Sequence, residues 1–288
     1  GSEMCIRDSY KLYHPVTAAP FQADASYREV LPTGALRPYI RCFWGTDDYK
    51  MYSGRNAGNT RLIIPDTCMD IIFTINATCN TISGSFYGID DSPYQTDSRK
   101  NGKEGASIFG IRFYAWSAAL FAEESMKNVC NLSFDAGQYF SKIKKELTPL
   151  LWENKSLIQR ASAAERVLMR HFHSDRENAN LLNAVYLILR NRGCFKALDI
   201  AGGLHISLRQ LERICKENTG VSPKKLSSLV RYQYLWSDIL YRPYRALDAV
   251  ERYGYTDQAH LIRDFKRYHS MTPKAAREKA FSNFSENP

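Results

Sequence analysis

The chain has six histidines, and none falls between residues 15 and 170. A β-rich metal enzyme that gathers several imidazoles around one ion therefore cannot be built in the N-terminal half. The seven cysteines, at positions 5, 42, 68, 79, 130, 194 and 215, include no Cys-x-x-Cys pair, so a zinc ribbon is not expected. Their irregular spacing also gives no disulfide framework; small buried thiols in a reducing compartment are the expectation. Also missing are an apolar run approaching the roughly 18 to 20 residues of a membrane span, a signal peptide, a Gly-rich phosphate loop and a Gly-x-Ser-x-Gly elbow. These absences direct the reading away from enzymes and membranes, toward a cytoplasmic protein with no cofactor and no metal.

What is present is uneven. Residues 176–288 carry 19 Lys/Arg against 11 Asp/Glu, and residues 1–175 carry 20 against 19, so nearly all of the net charge of +9 sits on the C-terminal part. That part also states one pattern twice. Leu211, Arg213 and Lys216 superpose on Leu261, Arg263 and Lys266 at an offset of 50, and Gly220-Val221-Ser222-Pro223 on Ser270-Met271-Thr272-Pro273. Leu198-Asp199 superposes on Leu247-Asp248 at 49, which adds one residue at a turn. Two helix-turn-helix copies on a basic segment read as a double reader of DNA.

In the first copy, residues 180–190 form an apolar-periodic helix ended by Gly193, and a short helix runs from Lys196 to about Gly202. Ser207 opens the next helix, with Gln210 completing a capping box. Leu208, Leu211, Ile214 and Cys215 turn inward, which leaves Arg209, Glu212, Arg213 and Lys216 on the other face. Arginine can grip guanine O6 and N7, glutamate can accept from cytosine N4, and lysine suits a phosphate. In the second copy Leu247, Ala249 and Val250 mark the supporting helix, and Leu261, Phe265 and Tyr268 face in. Gln258, Ala259, His260, Ile262 and Arg263 then approach the groove, with Lys266 and Arg267 nearer the backbone. No cysteine or second histidine lies at ligand spacing from His260, which argues for a DNA-facing or exposed side chain rather than a zinc ligand. Between the copies a helix can run over 223–241 before Pro243 stops it. It would be about 28 Å long, against about 34 Å between successive major grooves on one side of B-DNA.

The N-terminal half reads as short strands over 39–44, 61–64, 70–75, 81–88 and 107–113, a small β-barrel or sandwich. From Trp116 the pattern turns helical, over 118–121, 137–146 and 155–172, the last with Leu157, Ala161, Ala164 and Leu168 on one stripe. That stripe is expected to form a homodimer contact. Trp44, Tyr87, Phe109 and Trp116 can line an apolar pocket for a small-molecule effector, or be plain core. Arg112 can meet a ligand carboxylate, or be held in an internal salt bridge to Asp66 or Asp70. Two other readings stay open: an N-terminal half that only dimerises or binds a protein, and a barrel enzyme fused to a DNA reader.

Ser207-Leu208-Arg209-Gln210-Leu211-Glu212-Arg213, Thr219-Gly220-Val221-Ser222-Pro223, Gly254-Tyr255-Thr256-Asp257-Gln258-Ala259-His260-Leu261, Arg263-Asp264-Phe265-Lys266 and Met271-Thr272-Pro273 resemble the AraC/XylS-type bacterial transcription regulators over about 178–280. The resemblance implies double-stranded DNA as partner and a groove-facing role for Arg209, Glu212 and Arg213, and for Gln258, Ala259, His260, Ile262 and Arg263; contact with RNA polymerase is a further expectation. Cys215 stands where that family usually has phenylalanine, and His205 where glycine is common. Residues 61–73 and 109–113 are similar to an uncharacterised N-terminal domain that accompanies such readers, with Thr67 and Ala115-Trp116 in place of a glycine and a Pro-Gly. The expected organisation is α+β: a tag or unreliable start (1–9), a β-rich effector or dimerisation domain (10–115), a helical connector (116–177) and a double helix-turn-helix DNA-binding domain (178–288).

Overall fold

The computed structural model describes residues 9–16, 27–46, 60–97 and 106–285; of residues 1–9, read from sequence as a tag or unreliable start, 1–8 lie outside them and Ser9 opens a short helix. Runs of Ile, Phe, Tyr and Thr that alternate in burial give eight strands among these residues. They are β1 (Arg28–Val30), β2 (Ile40–Gly45), β3 (Thr60–Ile63), β4 (Cys68–Asn76), β5 (Thr81–Tyr87), β6 (Tyr94–Asp97), β7 (Ala106–Tyr114) and β8 (Ser133–Asp135). Six form an antiparallel sheet in the order β1-β2-β7-β4-β5-β8, and β3 pairs with β6 in a second, two-stranded sheet. The strands thus make two sheets with edges rather than one closed barrel.

Because side chains alternate across a strand, the register sorts the large sheet into two faces. Phe43, Ile71, Phe73, Phe86, Phe109, Ile111 and Phe113 occupy one face and are fully buried. Two helices cover that face, α2 (Ser141–Glu153) and α3 (Leu157–Arg170), numbered after a short N-terminal helix α1 (Ser9–Leu12). Phe140, at the start of α2, packs edge-on to Phe86 at 5.0 Å and parallel to Phe113 at 5.9 Å. Arg160 of α3 is fully buried and donates to Ser107 Oγ of β7 at 3.1 Å.

This packing corrects the expected dimer contact. Leu157, Ala161, Ala164 and Leu168 are all buried within the chain's own core, so the stripe of α3 is covered by the sheet and not left for a second copy. An apolar helical face must be buried, but periodicity does not say by what.

Seven further helices follow: α4 (Ala179–Arg190), α5 (Ala197–Gly203), α6 (Leu208–Thr219), α7 (Pro223–Tyr241), α8 (Ala246–Arg252), α9 (Gln258–His269) and α10 (Pro273–Ser285). The protein is α+β, with an antiparallel sheet region followed by a helical region. The hydrophobic core continues from the sheet into these helices. Polar contacts cross as well: Met126 N–H and Ser125 Oγ donate to the Glu217 carbonyl at 2.9 and 3.0 Å, Tyr234 Oη donates to the Leu12 carbonyl at 2.8 Å, and Lys225 pairs with Asp91. No helix among the described residues is long and apolar enough to cross a membrane.

Candidate nucleic-acid interface

The duplication seen in sequence is a duplication of structure. Helices α6 and α9 begin and end 50 residues apart, and α5 and α8 begin 49 apart, so the added residue falls in the turn before α9. Each of these helices has a capped start: Ser207 Oγ accepts from Gln210 N–H at 3.1 Å, and Asp257 Oδ1 accepts from His260 N–H at 2.7 Å. Each ends on a left-handed residue, Gly220 (φ 75°) or Ser270 (φ 60°). The turns before them also use positive φ, at His205 (55°) and Gly254 (63°), which is why glycine suits that place and why His205 is strained there.

Inward, Leu211, Ile214 and Cys215 of α6 and Leu261, Phe265 and Tyr268 of α9 are buried. Leu208, expected to join them, is instead 37% exposed: it is the first residue of α6, and Ile206 takes the inward place. Outward, Ser207, Arg209, Glu212, Arg213 and Lys216 are exposed, as are Gln258, Ala259, Arg263, Lys266 and Arg267, while His260 and Ile262 are half-buried. His260 is held in place by Thr256 Oγ1, 3.1 Å from Nδ1, and by the Tyr255 ring. Arg213 lies 3.2 Å from Glu217, one turn along the helix. Helix α7 ties the copies together. On the second, Arg231 and Tyr255 both donate to Asp264 at 2.9 Å, and Asp238 accepts from Tyr253 Oη at 2.7 Å.

The helix-turn-helix domain family matches residues 200–279 of this fold. The chain carries an AraC-type helix-turn-helix domain. A domain of unknown function, DUF6597, matches residues 28–135. Solved structures similar to the chain include a transcriptional regulator with an AraC-type DNA-binding domain from Chromobacterium violaceum (24% identity, 35% of this chain and 91% of that one, TM-score 0.33). Others are the C-terminal domain of AraT, a response regulator from Geobacillus stearothermophilus (22%, 36% and 87%, TM-score 0.34), and fatty-acid-bound ToxT from Vibrio cholerae (10%, 89% and 96%, TM-score 0.39). No curated protein sequence matches the chain.

Ahead of the AraC-type domain, the other face of the sheet carries a polar cluster. Cys42, Arg112, Asp70 and Tyr87 are register partners in one row across β2, β7, β4 and β5. Arg112 holds Asp70 with two hydrogen bonds of 3.0 Å, through Nε and Nη2, and its Nη1 faces Asp66 Oδ2 at 3.6 Å. Trp44 donates from Nε1 to Asp70 Oδ1 at 3.1 Å and places its ring 5.5 Å from the guanidinium. Gly110 lies beneath that indole, where a Cβ would come within 2.2 Å of it, so the cluster needs glycine there. Burial opposes charge on Arg112, but Asp70 and Asp66 outweigh it and push its pKa up. Burial, with help from Asp66, Asp70 and Asp91, pushes the Asp90 carboxyl up to about 6.

Of the five residues expected to line a ligand pocket, Trp44, Tyr87 and Arg112 share this face. Phe109 projects from the opposite face and stacks on Phe43 at 6.1 Å; Trp116 lies past the end of β7 and donates to the Pro38 carbonyl at 3.2 Å. Sequence left open whether Arg112 pairs with Asp66 or Asp70, and it faces both. Asp90, which follows β5, and Tyr27, whose ring lies 5.7 Å from Trp44, gave no sequence signal. Gln233 gave one that went unread: an amide on the apolar stripe of α7, between Val230 and Trp236.

Proposed function

We propose that this chain is a sequence-specific DNA-binding transcription regulator whose α6 and α9 read adjacent major grooves. The observation that carries the reading is the pair of outward faces, Arg209/Glu212/Arg213 and Gln258/Ala259/His260/Ile262/Arg263, set at the same place in two structurally repeated units whose inward faces are buried. Ser207, Lys216, Lys266 and Arg267 would hold phosphates. The AraC-type domain match supports the same conclusion, and no catalytic activity is proposed. A role on DNA requires the compartment that holds the chromosome, the cytoplasm of a bacterium. The functional division is that given by the sequence, 10–115, 116–177 and 178–288, with the first part as sensor; a homodimer would use a surface other than the α3 stripe.

Control by a small molecule is assigned to the cluster of Arg112, Asp66, Asp70 and Trp44. The charge of Arg112 already faces two carboxylates, although its buried Nη1 has no hydrogen-bond acceptor among the described residues, and Asp90 adds a third acidic group nearby. The ligand class favoured is therefore a basic or polyhydroxylated molecule, not the carboxylate suggested by an isolated arginine. Selection of duplexes from a random DNA pool by the full chain tests the main reading: two conserved half-sites about 10 base pairs apart support it, and no enrichment over a non-binding control refutes it.

A further inference from the structure

The buried middle of α7 makes polar contacts with the N-terminal half of the chain. Gln233 is 1% exposed, and its carboxamide is wholly engaged with the N-terminal half. Its Oε1 accepts from Val16 N–H at 2.7 Å, and its Nε2 donates to the Val16 carbonyl at 3.3 Å and to the Pro65 carbonyl. Pro65 precedes Asp66, whose Oδ2 faces Arg112 and whose Oδ1 accepts from Cys68 N–H at 3.0 Å. The turn is drawn tight at Thr67, a β-branched residue at φ 61°, whose Oγ1 donates to the Asp66 carbonyl at 2.5 Å and lies 2.8 Å from Tyr13 Oη.

We infer that Gln233 is the residue that couples the Arg112–Asp66–Asp70 cluster to the helix joining the two DNA-reading units. This rests on the DNA-reading function proposed above. The turn 65–68 is held from two directions, through the Asp66 side chain by the cluster and through the Pro65 carbonyl by Gln233. Any event that draws the Asp66 carboxylate away from Arg112 moves the turn, and with it the carbonyl. A surface amide would exchange that partner for water. A buried one leaves a donor unsatisfied, so the displacement is passed to α7 or the interface opens. Because α7 grips the second unit through Arg231–Asp264 and Asp238–Tyr253, a shift at its middle changes how the two reading helices are set relative to each other. Lys225–Asp91 and Tyr234–Leu12 hold the same helix, and Tyr13, which meets Thr67 of the turn, packs its ring 5.5 Å from that of Tyr234.

The experiment is a double-mutant cycle on the full chain, read as affinity for a two-half-site duplex selected by the wild-type protein. Asp66→Asn, which keeps shape and removes charge, is expected to change affinity about fivefold or more in the wild type. In a Gln233→Met background its effect is expected to shrink to within about twofold. An equal effect in both backgrounds overturns the inference, as does no effect in the wild type. Amide hydrogen exchange of Asp66→Asn alone provides a second arm that needs neither DNA nor a folded Gln233 variant. Faster exchange at Val16 and over residues 229–237, with no change at 279–285, supports the coupling, and an unchanged profile overturns it. If the wild-type chain selects no duplex at all, the DNA-reading function fails while the exchange arm still decides the coupling.

Discussion

The two helix-turn-helix units share their geometry and differ in what touches them. At the end of α6, Gly220 lies against the N-terminal half, where a Cβ would come within 2.9 Å of the Met126 carbonyl and of Val129 Cγ2. At the same place in the second unit Ser270 holds the same left-handed backbone and is exposed. Glu217, whose carbonyl accepts two bonds from residues 125 and 126, has the exposed Arg267 as its counterpart. Buried Thr219 donates to the Cys215 carbonyl at 2.8 Å, whereas its counterpart His269 is packed between Phe265 and Trp236 with Tyr232 Oη 2.7 Å from Nδ1. The first unit docks on the N-terminal half; the second is stabilised by its own aromatic core. The difference teaches that duplicated motifs keep their backbone geometry while their outward residues and their ends diverge, the ends adapting to separate neighbours.

The largest way to break this asymmetry is at the glycine. Gly220→Val must fit a branched side chain at positive φ into backbone, and it is expected to cost about 2–4 kcal/mol in denaturant unfolding and to release the interface to protease. Ser270→Gly relieves a strained φ in open surroundings and should be neutral or slightly stabilising. Equal losses at the two positions would show that the docking is not specific to the first unit.

Acid should separate the units next. Burial, with Lys279 nearby, pushes His269 down to about 3 from the ordinary 6.5, so between those values the unfolded chain binds a proton that the folded chain does not. Stability from this group is complete above about pH 6.5 and falls as pH drops through 3, by about 4–5 kcal/mol in all. Hydrogen exchange at pH 7 and pH 4 is expected to loosen residues 258–280 well before residues 208–226. Parallel loosening would remove His269 as the cause.

Substitutions on the reading faces act on binding rather than folding. Arg209→Ala and Arg263→Ala should each cost about 1–3 kcal/mol and relax preference in one half-site only. Lys266→Ala and Arg267→Ala should weaken all sequences alike and flatten the salt slope by about one unit each. A salt titration on selected and scrambled duplexes separates the two behaviours, and uniform loss across all four variants would refute the assignment of faces. The smallest effect is expected from Glu217→Gln, which frees Arg213 from an exposed ion pair and should tighten binding of the first half-site by a few tenths of a kcal/mol, about the worth of such a pair. Weaker binding would mean that Glu217 orients Arg213 for the groove.

The reading helices were legible because their determinants are local. Helix α7 was placed at 223–241 by a proline at each end, and α4 and α6 to within a residue or so, since caps and helical spacing lie within a few positions of each other. The four longer strands and the four-residue β3 were read from their composition and the turn residues between them, but β1, β6 and β8, three or four residues long, were not. Helix α2 was read as 137–146 and runs Ser141–Glu153, continuing through Pro149, with Thr148 Oγ1 donating to the Lys144 carbonyl at 2.7 Å. The pairing of Arg112 with Asp66 or Asp70 was one of two alternatives that sequence could not decide between, because Asp70 and Arg112 meet only through strand register, 42 residues apart in sequence. The contacts of Gln233 span 168 and 217 residues, and no local pattern encodes them.

The contact at Gly220 also bears on how such chains are assembled over evolutionary time. The C-terminal half is not a plug that accepts any N-terminal half. A replacement N-terminal half would have to bring its own carbonyl and side chain shaped to the bare backbone at residue 220, and its own acceptors for the Gln233 amide. Recombination that joins such halves at random should therefore succeed only where both the cleft and the polar socket travel with their partners, so the two halves are expected to be inherited together.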